Sequence, residues 1–166
     1  GRRMQFDLGP GAVSFGGGVH QLSGGGSPDL DGCIFKENEA AGGGGMYLDE
    51  GSTATLDECE FTDNTATVDG AGLSVWGETT VPTLDNCRFT DNNAGSNGGG
   101  MWNVDSQPAL TNCVFQNNLA SANGGGMYNV RSSPTLSDCE FSTNNSGVTG
   151  GGISNSDLSN PVLTEC

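Results

Sequence analysis

Six cysteines are the first candidates for chemistry in this chain, and their spacing decides what they can do. They fall at positions 33, 59, 87, 113, 139 and 166, separated by 26, 28, 26, 26 and 27 residues. Zinc centres need thiolates in close pairs, roughly two to four residues apart, or thiolates joined by histidine. No such pair exists, and the only histidine, His20, stands alone. An even count would also suit a disulfide framework in a secreted protein. If the spacing measures stacked structural units, neighbours such as Cys33 and Cys59 would have Cα atoms about 4.8 Å apart. Parallel side chains then hold the Cβ atoms nearly as far apart, beyond the preferred ~3.8 Å, so a bridge would be strained. Buried free thiols acting as small hydrophobes fit Cys33, Cys59, Cys87, Cys113, Cys139 and Cys166 better.

Carboxylates are the next candidates. Twenty acidic residues against five basic ones give a formal net charge of −15, which argues against nucleic acid or an anionic membrane as partner. Fourteen of the acids lie between Asp29 and Asp91. Aligned on the cysteines they form two columns: Asp31, Asp57 and Asp85 two residues before the thiol, and Glu37, Asp63 and Asp91 four after it. Like charges stacked at about 4.8 Å repel, and calcium held by several oxygens would relieve the repulsion. Weak calcium binding is therefore one expectation. A solvated acidic face is the plainer one, because neither the glycine-aspartate nonapeptide nor the EF-hand loop is present. Catalysis on polysaccharides has less to work with. A lyase needs a cationic base and cations to neutralise a uronate, yet Arg2, Arg3, Lys36, Arg88 and Arg131 fall in different columns. A hydrolase needs paired carboxylates across a groove, and nothing breaks the repeat to build one.

Aromatic residues form the third set. The column after the glycine block and its apolar residue holds His20, Tyr47, Ser74, Trp102, Tyr128 and Ser154. If the preceding residue points inward, these point outward, and Tyr47, Trp102 and Tyr128 become a strip able to stack on sugar rings or pack against another protein. Trp76, two residues beyond Ser74, would share that face. A phase shifted by one residue would instead bury the strip.

The elements that must position these groups follow from the columns. Five units read Cys-x-Phe-x-x-Asn, with Phe35, Phe61, Phe89, Phe115 and Phe141 followed by Asn38, Asn64, Asn92, Asn118 and Asn144. Leucine stands three residues before every cysteine, proline five before it in all units but the one with Ala54, and Ala or Ser two after each asparagine. A glycine triplet, replaced once by Gly70-Ala71-Gly72, precedes Met46, Leu73, Met101, Met127 or Ile153. Twenty-nine glycines, each costing about 1 kcal/mol in a helix interior, exclude a helical repeat. A period of this length denotes units that bury their apolar side only by stacking. Leu and Cys are out of phase for one strand, so a bend falls just before the cysteine, where Gly32, Asn86, Asn112 and Asp138 suit a left-handed residue and Glu58 and Glu165 suit it less. With further bends at the asparagine and the glycines, the expected fold is all-β: a right-handed parallel β-helix of about six coils with three short strands each. At about 4.8 Å per coil the rod is roughly 29 Å long. The asparagines are expected to form an internal amide ladder.

The Phe-x-x-Asn and glycine-block motifs resemble the repeats of chlamydial polymorphic outer-membrane proteins and related bacterial β-helix proteins, across nearly the whole chain. That resemblance implies a surface-exposed or secreted β-helix used for adhesion or as a stalk, with no catalytic residues to transfer. Residues 1–166 read as one repeat domain. Met4 falls in the cysteine column and the chain stops at Cys166 in the same phase, so either a segment of a longer passenger or a unit that stacks end to end into a fibre is expected. No apolar run of about 18 residues is present, so this segment is not expected to insert in a membrane as a helix. The expected role is non-enzymatic, structural or adhesive, at the cell surface or outside the cell. Glycan or surface-protein partners and calcium as the one conceivable cofactor go with it; a carbohydrate-active enzyme or glycan-binding module is the rival.

Overall fold

A computed structural model describes residues 5–6, 16–21 and 27–166; Arg2, Arg3 and Met4 lie outside that set. Among the described residues every regular element is a short strand, and the pairings are parallel and, apart from one slip, in register with the equivalent residues of neighbouring coils. The coil around Cys87 shows the plan. Thr83–Asp85 carries the leucine, Arg88–Thr90 the phenylalanine, Asn93–Ala94 the small residue and Met101–Val104 the methionine. Stacked on their counterparts, these give three six-stranded sheets and one five-stranded sheet. The described residues complete about five coils where about six were expected, with four strands per coil where three were expected. The extra ladder arises because the chain stays extended for two residues or more beyond the Asn bend, enough to pair Ala40, Ala66, Ala94, Ala120 and Ser146 in a column of their own.

Corners are set by left-handed residues in register. All six residues before the cysteines have φ between 50° and 59°, Glu58 and Glu165 included. Glu58 and Glu165, expected to suit this corner less well, adopt the same left-handed conformation. Their side chains are exposed, and the Glu58 N–H donates to Asp85 O at 3.0 Å, so the ladder holds a conformation that costs a non-glycine residue roughly 1–3 kcal/mol in isolation. The next corner is Glu37, Asp63, Asp91, Asn117 and Thr143, each with φ of 54–56° immediately before the ladder asparagine. The glycine corner uses its residues for two reasons. Gly43 sits at φ +62°, whereas a Cβ at Gly45 would lie 2.6 Å from Gly72 O and 2.9 Å from the Phe61 ring.

Inside, each column stacks like on like. Phe35, Phe61, Phe89, Phe115 and Phe141 lie with centroids 4.5–4.7 Å apart and planes within 5°. Leu56, Leu84, Leu110 and Leu136, with Met46, Met101 and Met127, complete the same core. The asparagine ladder is fully paired at its centre. Asn64 donates from its backbone N–H and from Nδ2 to Asn92 Oδ1 at 3.1 and 3.0 Å, and its second Nδ2 hydrogen goes to Phe35 O at 2.9 Å. Asn38, Asn92 and Asn118 repeat the donation to the next rung, which ends on Asn144.

A second amide row, absent from the sequence-based expectation, runs through Asn103, Asn129 and Asn155 with Nδ2 to Oδ1 distances of 2.8 and 2.9 Å. Its first rung pairs with Val75 in the coil before, which has no donor, and the buried Asn103 Oδ1 is left without a partner.

Cys33, Cys59, Cys87, Cys113 and Cys139 are buried, Cys166 is exposed, and all six are unbridged. Each thiol from Cys59 onward faces two carbonyls; Cys87 Sγ is 3.3 Å from Asp85 O and 3.5 Å from Leu56 O of the coil before. Burial, and then the neighbouring Cys59, pushes the Cys33 thiol above its ordinary value. Cys87 is raised by hydrogen bonding to Cys113 and Cys59 and by burial. Such thiols are poor nucleophiles.

Two outcomes follow. Asn92→Ala strands the Asn64 donors and Phe61 O in a dry interior, so urea unfolding should show a loss of about 3–5 kcal/mol. Asn160→Ala, at an exposed position, should stay within about 0.5 kcal/mol; a loss below ~1 kcal/mol for Asn92→Ala would contradict the ladder's role. In alkylation read by mass, the native protein should take up one adduct, at Cys166, and the urea-unfolded protein six, with or without reductant. A mass lower by two hydrogens per pair before reduction would instead show bridges.

Candidate binding face

The methionine sheet carries the aromatic strip on its outer surface. Along Met46–Leu48 burial alternates, Met46 and Leu48 buried and Tyr47 between them half-exposed, as period-two side-chain direction requires. Met101–Val104 and Met127–Val130 place Trp102 and Tyr128 the same way. The outward phase is therefore the one adopted. Trp102 and Tyr128 are register partners on adjacent coils, and Tyr47 and Trp102 flank Ser74 as its partners on either side. Ser74 is fully buried, its hydroxyl donating to Asp69 O at 3.3 Å. Trp76 pairs in register with Val104 and lies on the same outer face, 38% exposed. His20 packs edge-on against Tyr47, centroids 5.1 Å apart at 78°, and Tyr128 donates to Ser156 Oγ at 3.0 Å.

Beside this strip the glycine corner changes length. Two residues, Ala41 and Gly42, separate Ala40 from Gly43, whereas Thr67, Val68 and Asp69 separate Ala66 from Gly70. The pairing register slips between Ala40 and Gly42 to absorb the difference. Val68 is left 48% exposed beside the shorter corner. The result is a groove of about 260 Å³ lined by Ala41, Gly42, Tyr47, Val68, Asp69 and Trp102. Asp69 is tied down at its rim: its Oδ1 accepts both the Asn97 backbone N–H and Asn97 Nδ2 at 2.9 Å. Asn97 Oδ1 in turn accepts from Asn123 Nδ2 at 2.8 Å, and Thr149 Oγ1 donates to Asn123 Oδ1 at 2.7 Å. Burial, and next the Asp49 carboxylate, raises the Tyr47 phenol above its ordinary value, so it stays neutral at physiological pH. Neither Val68 nor Asp69 stood out in the sequence. The one-residue difference in spacing before the glycines was the signal available.

The acidic columns lie elsewhere. Asp31, Asp57 and Asp85 are in register on the leucine sheet, where Asn86 Nδ2 donates to Asp57 Oδ1 at 3.3 Å. Glu37, Asp63 and Asp91 are exposed corner residues. Lys36 Nζ sits 3.2 Å from Glu37 Oε1 and 3.9 Å from Asp63 Oδ2, a cation supplied by the chain itself between two stacked carboxylates. Arg131 makes a two-pronged pair with Asp105 at 2.7 and 2.8 Å and lies 3.7 Å from Asp157. The Arg131 guanidinium holds the Asp105 carboxyl below its usual range. Among the described residues, no group of three or more His, Cys, Asp or Glu side chains converges where a metal ion could sit. A shallower hollow of about 190 Å³, lined by Glu50, Trp76, Gly77, Glu78 and Asp105, marks the fourth corner, which is lengthened by turns closing Ser52 N–H on Asp49 O and Thr80 N–H on Gly77 O.

Comparison with known proteins bears on the fold. The family described as "Right handed beta helix region" matches residues 17–166. No curated protein and no solved structure matches the chain. With four parallel ladders in register and a family match over nearly its full length, this chain belongs to the right-handed β-helix family.

Proposed function

We propose that this β-helix is a non-enzymatic rod of the cell surface or extracellular space, with a structural or adhesive role, and that the outer face of the methionine sheet is its contact surface. The observation that carries the reading is the outward row Tyr47, Trp102, Tyr128 with Trp76 beside it. Exposed aromatic rings on a rigid sheet are a surface suited to stacking and packing rather than to proton transfer. Two further features favour it. Two of the three described Lys and Arg residues, Lys36 and Arg131, are engaged by carboxylates and the third, Arg88, lies on a different sheet from the aromatic strip, and among the described residues the ladders run from coil to coil without an inserted loop large enough to roof a cleft. The charge of −15 keeps such a rod soluble at high local concentration. The likeness of its Phe-x-x-Asn and glycine blocks to polymorphic outer-membrane repeats points the same way.

The test is a double variant, Trp102→Ala with Tyr128→Ala, assayed on immobilised polysaccharides, on cells and for self-association by sedimentation. Retention on at least one of these should fall by about tenfold or more with the thermal midpoint little changed, since each ring contributes on the order of 1 kcal/mol or more at a contact. Retention unchanged on all three would remove the contact surface. Release of reducing ends or unsaturated products from a polysaccharide panel, at multiple turnovers per chain, would overturn the non-enzymatic reading.

A further inference from the structure

The groove at the glycine corner has a chemistry narrower than the face it adjoins. Two of its walls are the aromatic rings of Tyr47 and Trp102, a third is the side chain of Val68, and the base is the short Ala41-Gly42 corner. Among the described residues one charged residue lines it, Asp69, with Asp49 close enough to act on the Tyr47 phenol. Of the described Lys and Arg residues, Lys36 is paired with Glu37 and Asp63, Arg131 with Asp105 and Asp157, and Arg88 lies on the phenylalanine sheet; none of the three lines the groove. Aromatic faces present negative potential, and a carboxylate beside them adds to it. The occupant favoured by that combination is a cation, held by cation–π attraction and by charge.

Hydrogen-bonding capacity narrows the class further. A lysine or arginine head brings three or five N–H donors, each of which needs an acceptor once desolvated. The lining is mostly carbon surface; its side-chain acceptors are the Tyr47 hydroxyl and the Asp69 carboxylate, of which Oδ1 already accepts two hydrogen bonds from Asn97, too few for the full donor set of a lysine or arginine head. A methylated ammonium carries its charge on a carbon surface and asks for no acceptors. We propose that this groove binds a trimethylammonium group of the choline type carried by a small soluble molecule. Tyr47 and Trp102 are its aromatic walls, Val68 packs on its methyls and Asp69 supplies the counter-charge. This rests on the reading of the aromatic face as a recognition surface and names what one part of it recognises.

The decisive comparison is choline against 3,3-dimethylbutan-1-ol, the neutral molecule of the same shape, each titrated into the intact chain and followed by tryptophan fluorescence and by calorimetry. Choline is expected to bind at least about tenfold more tightly. Trp102→Leu should weaken choline binding by about tenfold or more, and Tyr47→Phe, which keeps the ring, by less than about threefold. Asp69→Asn preserves the acceptor for Asn97 while removing the charge, and should cost about three- to tenfold, in a manner that added salt reproduces in the parent protein. Unchanged thermal midpoints would show that the variants are folded. Equal binding of the neutral isostere, tighter binding of lysine methyl ester than of choline, or binding to phosphatidylcholine vesicles without binding to free choline would each overturn the proposal. Absence of choline binding alongside intact, Trp102- and Tyr128-dependent adhesion would sink this inference alone and leave the contact surface standing.

Discussion

Each coil lies one strand spacing, about 4.8 Å, from the next, and at that spacing the nearest neighbour of a side chain is its own counterpart. Every column must therefore be a group that tolerates itself. Phenylalanine does so by stacking, and an amide does so because it is donor at one end and acceptor at the other. Thiols do so as small apolar groups with a carbonyl to face. Carboxylates do not, and the structure manages them accordingly. None of the interior columns is acidic, and outside, Lys36, Asn86 and Arg131 are placed beside the stacked or neighbouring acids.

An amide ladder has a direction, which gives it ends. In the main ladder the side-chain oxygen of each rung points to the coil before it and accepts there. The second row has the same sense, so its first oxygen, on Asn103, needs a donor from a coil that offers Val75. Gln21, Leu48 and Val75 occupy this column in the earlier coils and Asn103, Asn129 and Asn155 in the later ones. The mismatch lies where the column changes character, at a cost on the order of 1–3 kcal/mol, set against two amide bonds gained further along.

Surface relief arises in this architecture where the repeat slips. A perfectly regular rod presents flat ladders, and one residue fewer at the Ala40–Gly43 corner is what turns a ladder into a groove. The two extra residues of the 28-residue unit lie at the fourth corner, where they lengthen the turn after Trp76. Both irregularities flank the methionine sheet, so the strip of aromatic side chains is bordered by relief on either side.

Much of this was readable from columns alone. The cysteine spacing, the Phe-x-x-Asn motif and the glycine blocks determined a stacked all-β coil, the composition of its core and the ladder of five asparagines, because a repeat puts like residues at like positions in three dimensions. Other features needed the folded chain. Four strands per coil, the left-handed conformation of Glu58 and Glu165, and the outward phase of Tyr47, Trp102 and Tyr128 depend on backbone direction at each corner. The local sequence leaves that direction open, and it is selected by hydrogen bonds to residues 26 to 28 positions away, such as Glu58 N–H to Asp85 O. The groove is the clearest case: Tyr47, Val68 and Trp102 are far apart in the sequence, and only stacking across three coils, with one corner short by a residue, brings them around the same space.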